Sequence, residues 1–71
     1  MDTISMIMEY EMGELNDIQT LWLFEELIKS GMAWKLQGHY GRTASALIDD
    51  GWFTKDGNYT EKTKDFINDN G

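Results

Sequence analysis

His39 is the sole histidine in a chain of 71 residues, and cysteine is absent. Those two facts limit the available chemistry before any fold is considered. A zinc site takes about four nitrogen, sulfur or carboxylate ligands, and one imidazole with no thiolate leaves such a site short. Two pairs of acids, Glu25-Glu26 and Asp49-Asp50, invite comparison with a general acid and its base. Neighbours in a helix diverge by about 100°, however, and cannot share one proton or one metal from the same side. Ser45 has no identifiable base to activate it. No catalytic, cofactor-binding or metal-ligating residue is therefore expected, and the chain reads as a non-enzyme.

Three further patterns imitate known sites. Asp50 to Glu61 has the length of a calcium loop, but Trp52 stands at its third position and Lys55 where glycine is required, so coordination cannot close. Asn58-Tyr59-Thr60 matches a glycosylation acceptor, which is idle in a chain expected to carry no signal peptide. Gly38-His39-Tyr40-Gly41 has the spacing of a loop that admits a nucleic-acid backbone. Without alternating strands around it, a connection between two helices is the simpler reading.

The elements that must position these residues follow from apolar spacing and glycine punctuation, since proline is absent. Ile4, Ile7, Met8 and Met12 recur at three- and four-residue steps and predict one helical stripe from Asp2 to Met12. Asn16 followed by Gln19 has the form of a capping box and opens a second helix to about Lys29. Its apolar set (Ile18, Leu21, Trp22, Leu23, Phe24, Leu27, Ile28) is wider than one stripe, as suits a central helix. Met32 to Gln37 predicts a short turn, broken at Gly38, and Tyr40 to Asp50 another helix with Ala44, Leu47 and Ile48 inward. Asp56-Gly57, flanked by Trp52-Phe53-Thr54 and Asn58-Tyr59-Thr60, predicts a small β-hairpin. Thr60 then caps a last helix through Asn68. The expected fold is mostly α: residues 1–71 as one compact domain of four to five short helices, with one β-hairpin near residues 52–60.

The longest apolar stretch, Leu21 to Phe24, is far short of the roughly 20 residues that span a bilayer. A net charge of −7 disfavours general binding to nucleic acid or anionic membranes. Its distribution says more. Seven acids and no base lie in residues 1–28, while Lys29 to Ile48 holds Lys29, Lys35 and Arg42 with no acid, and the tail from Asp49 is acidic again. Chance in a short chain would also produce such a band. Trp22, Trp34, Trp52, Phe24, Tyr40, Phe53 and Tyr59 are mostly core by expectation, with Trp34, Tyr40 or Trp52 the candidates for an exposed anchor. Five methionines, four of them within the first twelve residues, add an adaptable apolar surface. With no disulfide to staple so small a core, a homodimer would be one source of added stability.

The run from Leu23 to Gly51 contains Ala33-Trp34-Lys35-Leu36-Gln37-Gly38-His39-Tyr40-Gly41-Arg42-Thr43-Ala44. It resembles a family of small tailed-bacteriophage proteins with an Ala-Trp-x-Leu-Gln-Gly-x-Tyr-Gly-Arg-x-Ala core, over roughly two fifths of the chain. The resemblance implies a phage gene product in the cytoplasm of a bacterial host, with a role in host takeover, regulation or evasion of defence. It implies no fold and no catalytic residue, and the segment from Trp52 onward lies beyond it. A weaker resemblance links Leu47-Ile48-Asp49-Asp50-Gly51-Trp52-Phe53, with Asp56-Gly57 as a wing tip, to winged-helix DNA-binding domains. There Met32 to Gln37 is too short for the first helix of the pair.

The expectation is thus a protein that engages or inhibits a host or phage protein through Trp34, Lys35, His39, Tyr40 and Arg42. The alternatives are a helix-turn-helix-like DNA regulator using the same band, and an acidic mimic of DNA.

Overall fold

The computed structural model describes residues 2–70. Four α-helices and one 3-10 turn follow in order: α1 (Thr3–Glu11), α2 (Asp17–Ser30), the turn (Met32–Trp34), α3 (Gly38–Asp49) and α4 (Glu61–Asn70). The mostly helical expectation holds, and the boundaries have local causes. Asn16 accepts from the Gln19 amide at 2.8 Å and the Gln19 side chain accepts from the Asn16 amide at 3.0 Å, which completes the capping box of α2. Two amides that the helix leaves orphaned are satisfied in this way. Gly31, at φ +80°, ends α2 in the left-handed region and leads directly into the 3-10 turn.

α2 is the central helix. Leu23, Phe24 and Leu27 are fully enclosed and Leu21 and Ile28 nearly so. Each such side chain contributes about 1.5 to 3 kcal/mol through removal from water. Around Phe24 the rings of Tyr10 (5.6 Å between centroids, edge-on) and Tyr40 (6.3 Å) close a three-ring cluster that joins α1, α2 and α3. Ala33, Ala44 and Phe53 complete the interior.

Three expectations change. First, no strand forms among the described residues: the segment expected as a β-hairpin holds a single bridge, Phe53 to Tyr59. Gly57 donates to the Thr54 carbonyl at 3.0 Å and Thr54 to the Asn58 carbonyl at 2.9 Å, so Lys55-Asp56 make the turn and Gly57, at φ +88°, follows it. That is a three-residue loop instead of the tight Asp-Gly turn. The pairing stays at one bridge: the next ladder contact, from the Thr60 amide to the Trp52 carbonyl, is long at 3.5 Å, and the Thr63 hydroxyl donates to the same carbonyl at 2.6 Å. Thr60 bonds the Gly51 carbonyl at 2.5 Å, tying the start of α4 to the end of α3.

Second, Gly38 does not break the chain. It begins α3, and Gly41 lies within the same helix. Third, α1 is rotated relative to the expected stripe: Met6 is buried with Ile7 and Tyr10 packed on the core, whereas Ile4, Met8 and Met12 face outward. The Tyr10 ring, wedged between Phe24 and Tyr40, sets that rotation.

Candidate functional site

The 3-10 turn separates two neighbouring side chains. Ala33 goes inward at 1% exposure, and Trp34 goes outward at 51%. Hydrogen bonds donated by the Trp34 amide to the Gly31 carbonyl (3.2 Å) and by the Lys35 amide to the Met32 carbonyl (3.0 Å) hold the turn, and Lys35 projects into solvent. α3 then starts against it. Gly38 and Gly41 are three residues apart, hence on one side of the helix. A methyl group at Gly41 would lie 3.7 Å from Cε3 of Trp34, and one at Gly38 would lie 3.0 Å from Nη1 of Arg42. The indole and the guanidinium therefore border one glycine-floored face at the start of α3. Sequence reading gave the two glycines a connecting role; their three-residue spacing inside a helix was the signal for this floor.

The remaining two residues of the band turn elsewhere. Tyr40 is buried at 2% exposure, with its hydroxyl donating to Oε1 of Glu11. Burial first, then the Glu11 hydrogen bond and charge, push its phenol far above the usual range, so Tyr40 remains a proton donor at any ordinary pH. Its place among the contact residues is corrected accordingly: it is a core residue, because its ring completes the cluster with Tyr10 and Phe24. His39 is partly exposed, with Nε2 3.5 Å from the same Glu11 oxygen. Glu11 thereby joins the last turn of α1 to the first turn of α3. Trp34, Lys35 and Arg42, with the partly exposed His39, are left as the accessible part of the predicted band.

The cations divide in the same manner. Lys29 pairs with Glu25 at 3.2 Å and Lys64 with Glu61 at 3.8 Å. Lys62 donates to the Asp50 carbonyl at 2.8 Å while lying 4.1 Å from the Trp52 ring centre. Among the described residues Lys35, Arg42 and Lys55 have no carboxylate at ion-pair distance. An exposed cation that has no internal partner can be given to a partner's carboxylate without breaking an internal pair.

The acids of α1 do not form one row. Asp2 caps the helix, Glu9 has one oxygen enclosed, and Glu11 is engaged by α3. Among the described residues no three His, Asp or Glu side chains gather where they could hold a metal ion. Among the described residues no helix is long and apolar enough to cross a membrane. An apolar cleft of about 320 Å³ lies elsewhere, among α2, α3 and α4, lined by Leu21, Leu47, Trp52 and Phe66.

The chain is a small, mostly helical domain whose exposed indole and guanidinium lie against the first turns of α3. The chain belongs to the family described as domain of unknown function DUF7417, whose profile matches residues 1–70. The match takes in the segment from Trp52 onward, which is therefore part of the family's domain. No curated protein and no solved structure matches the chain.

Proposed function

We propose that this chain is a phage-encoded binding protein with no catalysis of its own, acting in the cytoplasm of a bacterial host by occupying a surface on a host or phage protein. The observation that carries the reading is the half-exposed Trp34 ring against Gly41, with the Arg42 guanidinium against Gly38 on the same side of α3 and Lys35 next to Trp34 in the chain. Tryptophan and arginine are the side chains that most often dominate binding energy at interfaces. A matching partner face offers a slot for the indole and one or two carboxylates at its edge. The phage setting rests on the Ala33-to-Ala44 motif.

The test is affinity capture from bacterial lysate with the wild-type chain and with a Trp34→Ala, Arg42→Glu double variant. A partner held by the first and released by the second supports the reading. Identical retention by both overturns it.

DNA binding is the second reading, favoured by the succession of α2, a short turn and α3, with Arg42 and Ser45 exposed on the last. Against it, the would-be wing tip is tied down: a methyl group at Gly57 would lie 2.9 Å from Cγ of Lys29 on α2. A regulator would shift a duplex probe at low salt and release it steeply as salt rises. Such a shift, abolished by Arg42→Glu, would replace the protein-binding reading.

A further inference from the structure

Ile4, Met8 and Met12 are 66%, 60% and 70% exposed. At four-residue steps they make a single row along the outward side of α1, about 12 Å long at 1.5 Å per residue. The row is a fixed feature, because Met6, Ile7 and Tyr10 hold the opposite side of the helix in the core. Two of its three members are methionines, whose unbranched side chains adapt to a partner's shape.

Charge decides what could cover it. Asp2, Glu9, Glu11 and Glu14 lie on or beside α1, and residues 2–28 contain no lysine or arginine. Among the described residues the one basic side chain at ion-pair distance from α1 is His39, against Glu11. A second copy would bring acid to acid on a chain whose net charge is already −7. A helix with its own apolar stripe bordered by lysine or arginine meets both the row and the surrounding field. We propose that the outward row of α1 docks a cationic amphipathic helix of a partner protein. This surface is separate from the Trp34 face and of opposite electrostatic preference.

The experiment titrates the full chain with a synthetic leucine-lysine peptide patterned as an amphipathic helix, and follows the methionine methyl signals by NMR. The Met8 and Met12 signals are expected to move while those of Met6 and Met32 stay. Met8→Ser combined with Met12→Ser should weaken binding by about tenfold or more, with unchanged circular dichroism. Trp34→Ala should leave it intact, and a glutamate version of the peptide should not bind. The proposal is overturned if the peptide fails to bind, if it binds without moving Met8 and Met12, or if the glutamate version binds equally. Sedimentation showing the free chain already dimeric, with these methyl groups shielded, would assign the row to self-association instead.

Discussion

A methyl group at Gly57 would stand 2.9 Å from Cγ of Lys29, 3.0 Å from its backbone nitrogen and 3.1 Å from a methyl of Ile28. The first of these atoms belongs to a flexible stem, but the second is helix backbone and cannot give way cheaply. The φ of +88° adds strain for any residue with a Cβ. Gly57→Ala should therefore lower stability by about 1 to 3 kcal/mol in urea denaturation. A loss below about 0.5 kcal/mol would show that the loop does not rest on α2. Thr63 is a second single-residue anchor, fully enclosed and donating to the Trp52 carbonyl. Thr63→Val keeps the shape and removes the donor, at a cost of about 1 to 2 kcal/mol by the same measurement. A stability equal to the wild type would mean that the Thr60 amide, 3.5 Å from the Trp52 carbonyl, satisfies it unaided.

At the scale of elements, α1 is held by its Tyr10 side, and truncations on its two sides should differ. Met6→Ala should cost about 2 to 3 kcal/mol, whereas Met8→Ala should stay within about 0.5 kcal/mol. Equal costs in thermal unfolding would contradict the observed rotation of the helix. That rotation is also where sequence reading reached its limit. The existence of α1, α2, the short turn, α3 and α4 was legible from Asn16-Gln19, Ser30-Gly31 and the apolar spacing, all of which act through local backbone geometry. Which side of α1 faces inward was not, because Ile4-Met8-Met12 and Met6-Tyr10 are both acceptable helical rows. Only the distant Phe24 and Tyr40 rings choose between them. The lost hairpin has the same origin, since Thr63, well beyond the turn, donates to the Trp52 carbonyl that the Thr60 amide reaches only at 3.5 Å. Of the candidate site, exposed Trp34, Lys35 and Arg42 were legible from charge and residue type. The enclosure of Tyr40 was hidden in a contact with Glu11 from another helix.

For the whole molecule, two phenols govern behaviour in base. Burial, with Glu11 beside Tyr40 and Glu25 beside Tyr59, raises both above the value of about 10 that they have in an unfolded chain. The folded state thus holds these protons more tightly than the unfolded state. Their contribution to stability is complete below about pH 10 and falls as pH rises toward the folded values. Denaturant titrations across this range should show a steady loss of stability above pH 10, with tyrosinate absorbance appearing together with unfolding. In Tyr40→Phe the neutral-pH stability is lower, by about 1 to 2 kcal/mol for the lost bond to Glu11, and the decline in base is shallower. An unchanged slope would mean that Tyr40 ionises freely in the native protein.

The outward orientation of Met8 and Met12 leaves their sulfur atoms open to peroxide, while Met6 is shielded inside. Oxidation to the sulfoxide turns a pliable apolar side chain into a polar one. Mild oxidant should therefore modify α1 on one side only, in an order readable by mass spectrometry. The helices would survive, and the chain would become a redox-marked form of itself whose altered surface chemistry is reversible by reductase repair.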